Sequence, residues 1–172
     1  VTEPAYDTKE QASDLWIVPT SGSAAPRRLT HTKGAESGVE WAPDGRRILF
    51  SAKREGDEDP QIYVLDVTGG EAQRVTSQPG GASAGKFSPD GKRILYQSEF
   101  DPIGDERKQR KYKVRAYDSF PVRHWDKWLD EKRPHVFVQD LLPGAKAKDL
   151  LEGTRFAAGA GFDGLSTNSG GD

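Results

Sequence analysis

Trp41-Ala42-Pro43-Asp44-Gly45-Arg46-Arg47-Ile48-Leu49-Phe50 returns 46 positions later as Phe87-Ser88-Pro89-Asp90-Gly91-Lys92-Arg93-Ile94-Leu95-Tyr96. Each half of the stretch has its own physics. In Pro-Asp-Gly, proline presets φ, the aspartate side chain bonds the backbone ahead of it, and glycine accepts a positive φ. Asp44 and Asp90 are therefore expected to close equivalent hairpins between the first and second strands of a repeated unit. The aliphatic and aromatic run after each turn favours a strand. The correspondence reaches upstream. Arg28-Leu29-Thr30 recurs as Arg74-Val75-Thr76 at the same spacing, and Leu15-Trp16-Ile17-Val18 recurs as Ile62-Tyr63-Val64-Leu65 at 47. A strand-turn-strand repeat of this period reads as one four-stranded blade of a β-propeller.

The fold class expected is all-β: a partial propeller of about two and a half antiparallel four-stranded blades, with a short helical insertion near 119–130. Residues 1–36 read as the outer strands of an incomplete blade with a connector, and 37–76 as a complete blade. Residues 77–154 read as a second complete blade interrupted by an insertion at 101–134, and 155–172 as a Gly- and Ser-rich connector to a missing blade. Trp41 and Phe87 should fall at equivalent ends of inner strands, and Trp16, Tyr63 and Phe137 at equivalent points of third strands. Because a propeller typically closes with about four to eight blades, the chain reads as a piece of a larger one.

Composition fits that reading. Only 34% of the 172 residues are hydrophobic while 30% are charged, so part of the core is expected to come from absent blades. A net charge of −2 gives no electrostatic reason to expect nucleic acid. The sequence holds no run of about 18 apolar residues, so no membrane span is expected. Cysteine is absent, which excludes disulfides and thiolate-bound metal. Methionine is absent too, as expected of a processed or excised segment, and the compartment stays open between cytoplasm and periplasm.

The unit from Trp41 to Phe50, with Ile62-Tyr63-Val64-Leu65-Asp66, Gly69-Gly70 and Arg74-Val75-Thr76, resembles the WD40-like repeat of TolB-type propellers. The same repeat builds the non-catalytic propeller of prolyl oligopeptidase family serine peptidases, including acylaminoacyl- and dipeptidyl-peptidase-like members. The insertion is more specific. Arg123, His124, Trp125, Asp126 and Trp128, followed by the strand His135-Val136-Phe137-Val138, are similar to a segment of bacterial peptidases of that family. The resemblance implies a propeller that caps a C-terminal α/β-hydrolase domain and gates or positions peptide substrates for it. It implies no cofactor. The implied partners are the missing blades, that hydrolase domain and its peptides.

No catalytic set is read in the chain itself. Gly81-Ala82-Ser83-Ala84-Gly85 spells a nucleophile elbow, but an elbow needs a strand before the serine and a helix after it. Here the segment runs into Phe87-Ser88-Pro89-Asp90-Gly91, so Ser83 reads as a small residue entering an inner strand. His31, His124 and His135 lack metal-ligand spacing. Glu55-Gly56-Asp57-Glu58-Asp59 lacks the register of a calcium loop and reads as a solvated hairpin loop. The basic run from Arg107 to Arg115 lacks the aromatic platform that single-stranded nucleic acid needs.

Within 119–130, Pro121 suits the first turn of a helix capped by Asp118 or Ser119, which sets Trp125 and Trp128 on one face. That face either packs onto the blade or, with Arg123, His124 and Asp126, contacts the peptidase domain or its substrate chamber. Two functions from different classes remain. One is the non-catalytic propeller of a serine peptidase, and the other a TolB-like module for protein–protein interaction in the cell envelope. A fragment of a propeller leaves blade faces uncovered, so self-association or pairing with the rest of the parent protein is expected.

Overall fold

A computed structural model describes residues 13–101, 109, 123–124, 127–128, 132–142, 144–154 and 156–157. Among the described residues the regular elements are twelve strands: β1 (Trp16–Ile17), β2 (Arg27–Arg28), β3 (Glu36–Trp41), β4 (Arg47–Ala52), β5 (Gln61–Asp66), β6 (Gln73–Arg74), β7 (Ser83–Phe87), β8 (Arg93–Phe100), β9 (Arg123–His124), β10 (Lys127–Trp128), β11 (Arg133–Asp140) and β12 (Lys148–Asp149). Two antiparallel sheets have four strands, in the orders β3-β4-β5-β6 and β7-β8-β11-β12. β1 and β2 make a separate two-stranded sheet. This is a partial β-propeller.

The turns form as their residues dictate. Gly45 N–H bonds the Ala42 carbonyl at 3.0 Å, and Gly91 N–H bonds that of Ser88 at 2.8 Å. Both glycines sit at φ 66°, where any other residue would be strained. Asp44 Oδ1 accepts the Arg46 and Arg47 N–H groups, and Asp90 Oδ1 accepts that of Lys92. The Arg46 N–H, and after it the Arg47 side chain, hold the Asp44 carboxyl below the usual aspartate range. At Asp90 the Ser88 hydroxyl, then the Lys92 N–H, do the same.

Register fixes which residues are equivalent. Trp41 pairs with Ile48 as Phe87 pairs with Ile94. Tyr63 lies opposite Phe50 and Phe137 opposite Tyr96, and both aromatic pairs stack, with centroids 6.1 and 5.7 Å apart. The outer hairpins share one rung: Leu29 N–H to Leu15 O, Val75 N–H to Ile62 O, and Leu150 N–H to Val136 O.

The core is two layers, one on each face of the β3–β6 sheet. Ile48, Phe50, Ala52, Tyr63 and Leu65 pack toward Leu15, Ile17 and Leu29. Leu49 and Ile62 pack toward Ala82, Ile94 and Tyr96 of the next sheet. Polar clasps bind neighbouring sheets at one rim. Glu36 takes the Thr32 hydroxyl at 3.1 Å and that of Thr30, while its N–H bonds Ser13 Oγ at 2.8 Å. One unit later the clasp is uncharged. Gln61 Oε1 takes the Thr76 hydroxyl at 2.8 Å, Gln78 Nε2 bonds the Tyr96 hydroxyl at 2.7 Å, and Gln139 Nε2 bonds the Val75 carbonyl at 2.9 Å.

Both inner strands carry a register shift, between Ser37 and Glu40 and between Ser83 and Lys86. The bulged residue is Gly38 in one (φ 63°) and Ala84 in the other (φ 51°). A left-handed conformation costs an L-residue about 1–2 kcal/mol, and glycine's extra entropy returns about 0.5–1. Ala84→Gly is therefore expected to stabilise the protein by about 0.5–1 kcal/mol, and Gly38→Ala to destabilise it comparably. Urea unfolding of the two variants checks this; a loss of stability in Ala84→Gly refutes it.

The helix expected near 119–130 is corrected at its described residues. β9 and β10 pair antiparallel, Lys127 with His124 and Trp128 with Arg123. A helix of two or three turns pays the full nucleation cost for few hydrogen bonds. Tryptophan and histidine are mediocre helix formers, and tryptophan suits a strand, so the extended pairing wins. Trp125 and Asp126 lie outside the described residues, as does most of 155–172.

Candidate functional site

The antiparallel pairings bring several connections to one rim. Ala52 ends β4 beside Gln61, which opens β5, and the 75–82 connection leads into β7 at Ser83. Phe100 ends β8 opposite Arg133 of β11, so the 101–132 insertion leaves from the same rim. Between the two four-stranded sheets the rim holds a notch of about 240 Å³. Pro60, Gly80, Gly81, Ser83, Ser98 and Glu99 are among the residues that line it. Glycine at 80 is a matter of space, since a Cβ there would lie 2.2 Å from the Glu99 carbonyl oxygen.

The loop 53–60 is fixed by charge. Asp57 accepts the Tyr63 hydroxyl at 2.7 Å and the Arg54 N–H at 3.1 Å, and pairs with Arg74 at 3.0 Å. Arg54 reaches Glu36 at 3.7 Å and lies over the Tyr63 ring, 4.5 Å from its centroid. Burial alone would raise the Asp57 carboxyl; the Tyr63 hydroxyl, the Arg54 N–H and Arg74 outweigh it and hold it below the ordinary aspartate value. That contribution to stability is present above the ordinary carboxylate range and lost as pH falls through the lowered value. Burial, and after it the bond to Asp57, pushes the Tyr63 phenol up to about 12. Its contribution is intact below pH 10, the ordinary phenol value, and drains away as pH rises toward 12. Tyr63→Phe should therefore flatten the loss of stability between pH 10 and 12, read from urea midpoints across that range. An unchanged alkaline slope would refute the assignment.

Of the residues singled out in sequence, Arg123, His124 and Trp128 lie in the β9–β10 pair, and Ser83 opens β7 opposite Gln97. A strand, not a helix, follows Ser83, so the elbow geometry is not formed. His31 lies on an exposed connection. His135 is buried in β11, with Nδ1 2.6 Å from Asp149 Oδ2 and its ring stacked on Phe100 at 4.6 Å. Sequence reasoning missed this pair. The signal was positional: His135 and Asp149 occupy the places that Asp14 and Arg28 hold in the first hairpin, where those two form an ion pair. Ser98 faces His135 across the strands, yet neither Ser98 Oγ nor His135 Nε2 has a hydrogen-bond partner, and both atoms are buried. A nucleophile needs its base within hydrogen-bond reach, and this geometry does not supply it. Among the described residues no group of three or more His, Cys, Asp or Glu is placed to hold a metal ion. What the rim offers is an open notch lined by backbone and small polar residues.

Comparison with known proteins follows the fold. The Tricorn protease N-terminal beta propeller domain family matches residues 10–131. The chain is 38% identical over 60 residues to the Tol-Pal system protein TolB of Bordetella pertussis, a match covering 35% of this chain and 13% of TolB. It is 38% identical over 63 residues to the peptidase YuxL of Bacillus subtilis, covering 36% of this chain and 9% of YuxL. The acylaminoacyl peptidase of Pyrococcus horikoshii superposes with a TM-score of 0.62 at 16% identity, over 86% of this chain and 22% of that one. The matched stretches are thus small parts of much longer proteins.

Proposed function

The chain belongs to the family of the Tricorn protease N-terminal beta propeller domain, and from that premise we propose that it is the non-catalytic propeller portion of a prolyl oligopeptidase family serine peptidase. Its role in this reading is to gate or position peptide substrates for an α/β-hydrolase domain supplied by the parent protein. The observation that carries the reading is the 38% identity over 63 residues to the peptidase YuxL. The rim supports it: the notch lies at the ends of β8 and β11, beside Phe100 and Arg133, where a passing peptide would meet it. The segment from Arg123 to Trp128 then serves as an interdomain or chamber wall. A fold does not fix a function by itself, so the test has to be biochemical.

Two measurements decide. The purified chain is expected to leave aminoacyl, dipeptidyl and acyl-peptide reporter substrates uncleaved. Turnover that Ser83→Ala abolished would refute the non-catalytic assignment. The parent gene is expected to encode a hydrolase domain of a few hundred residues with a serine nucleophile motif. A parent that ends after two or three further blades would instead support the second reading, a TolB-like module for protein–protein binding, which the 38% identity to TolB favours.

A further inference from the structure

We propose that the bulges of β3 and β7 are a guard against strand addition, keeping the inner edge of each four-stranded sheet from being extended by a strand of a second copy of this chain. Among the described residues, neither edge of either sheet is covered by a further strand. The outer edges, β6 and β12, are two residues long, too short to template a partner. The inner edges are longer, six residues in β3 and five in β7. An edge of that length offers a row of unpaired N–H and C=O groups unless something interrupts it.

The bulge interrupts both rows at the same point. On β3, Ser37 lies opposite Ser51 and Glu40 opposite Leu49, so Gly38 and Val39 share the place that faces Phe50. On β7, Ser83 lies opposite Gln97 and Lys86 opposite Leu95, so Ala84 and Gly85 share the place that faces Tyr96. A bulged strand bends and twists more strongly than a regular one, and its ladder is locally disrupted.

The alternation of side chains between faces does not require the extra residue. Gln97 and Leu95 stand two apart on β8, and therefore on one face. Without Ala84, Ser83 and Lys86 would stand two apart as well and keep the same partners. Local preference does not supply the bulge either. Ala84 is exposed and held at φ 51°, a conformation that strains alanine and that no burial of its own side chain offsets. The bulge is nonetheless present in both units, at Gly38 and at Ala84. What the two places share is a long free edge.

The full chain and its variants test this at one concentration, by thioflavin T fluorescence and sedimentation. Deletion of Ala84 is expected to raise the rate of thioflavin-positive assembly at least tenfold. Adding Ser83→Lys on the straightened edge should return that rate to the wild-type level, whereas Thr20→Lys on a distant turn should not. An unchanged rate, or equal rescue by the two lysines, would overturn the proposal. Should the deletion prevent folding, two point variants decide. Valine disfavours a positive φ, so Ala84→Val biases β7 toward a regular edge. Leu49→Ala weakens the core and leaves the bulge in place. At urea concentrations that give equal unfolded fractions, Ala84→Val is expected to assemble at least threefold faster than Leu49→Ala. Equal rates would mean that assembly follows unfolding and not the edge, and the proposal would fall.

Discussion

Gly85→Val lowers the unfolding free energy by about 3 kcal/mol, seen as a fall in the urea midpoint with an unchanged slope. The cause is contact, not backbone strain. The first carbon of any side chain at 85 would stand 2.7 Å from Leu49 Cδ1 and 3.2 Å from Ile62 Cδ1, and the branched valine carries two more. Neither neighbour has room to move: both are 0% exposed, enclosed between two sheets. Val39 holds the same place one unit earlier and is exposed, so Val39→Ile should change stability by less than about 0.5 kcal/mol. If Gly85→Val were tolerated as well as Val39→Ile, the packing of the two sheets described here would be wrong.

Leu49→Ala is the second large effect, a loss of about 2–5 kcal/mol, because it opens a cavity at the centre of the same interface. The pair can be combined. The methyl added by Gly85→Ala enters the space vacated by the leucine, so the double variant Leu49→Ala/Gly85→Ala should be more stable than the sum of the two single losses predicts. A coupling energy of about 1 kcal/mol or more is expected for side chains in direct contact. Strict additivity would mean that the two residues do not touch.

Much of this architecture was legible because it rests on local chemistry that repeats. Pro43-Asp44-Gly45 and Pro89-Asp90-Gly91 could form little else than tight turns, and the runs behind them little else than strands. The segment at 123–128 was not legible in the same way. Trp125 and Trp128 are spaced for one face of a helix, but their chemistry serves a strand equally, and periodicity over so few residues cannot choose. Ala84 gave no hint of its bulge, because alanine is not a residue that seeks a positive φ; only its alignment with Gly38 carried the information. The His135–Asp149 pair was hidden because its counterpart one hairpin earlier has the charges exchanged, with the acid at 14 and the base at 28.

That exchange bears on how the chain avoids folding wrongly. Strands such as Arg47–Ala52 and Arg93–Phe100 are so alike in their apolar residues that either could begin to assemble with the other's neighbours. Near-identical tandem units are prone to such swapped intermediates. The ionic, amide and imidazole–carboxylate clasps separate them. A hairpin carrying Gln61 and docked where Asp14 belongs would set an amide in the place of a buried carboxylate, and one carrying His135 would set an imidazole there. A nascent chain that misassembles is left with mismatched polar partners, and so has reason to let go and try again.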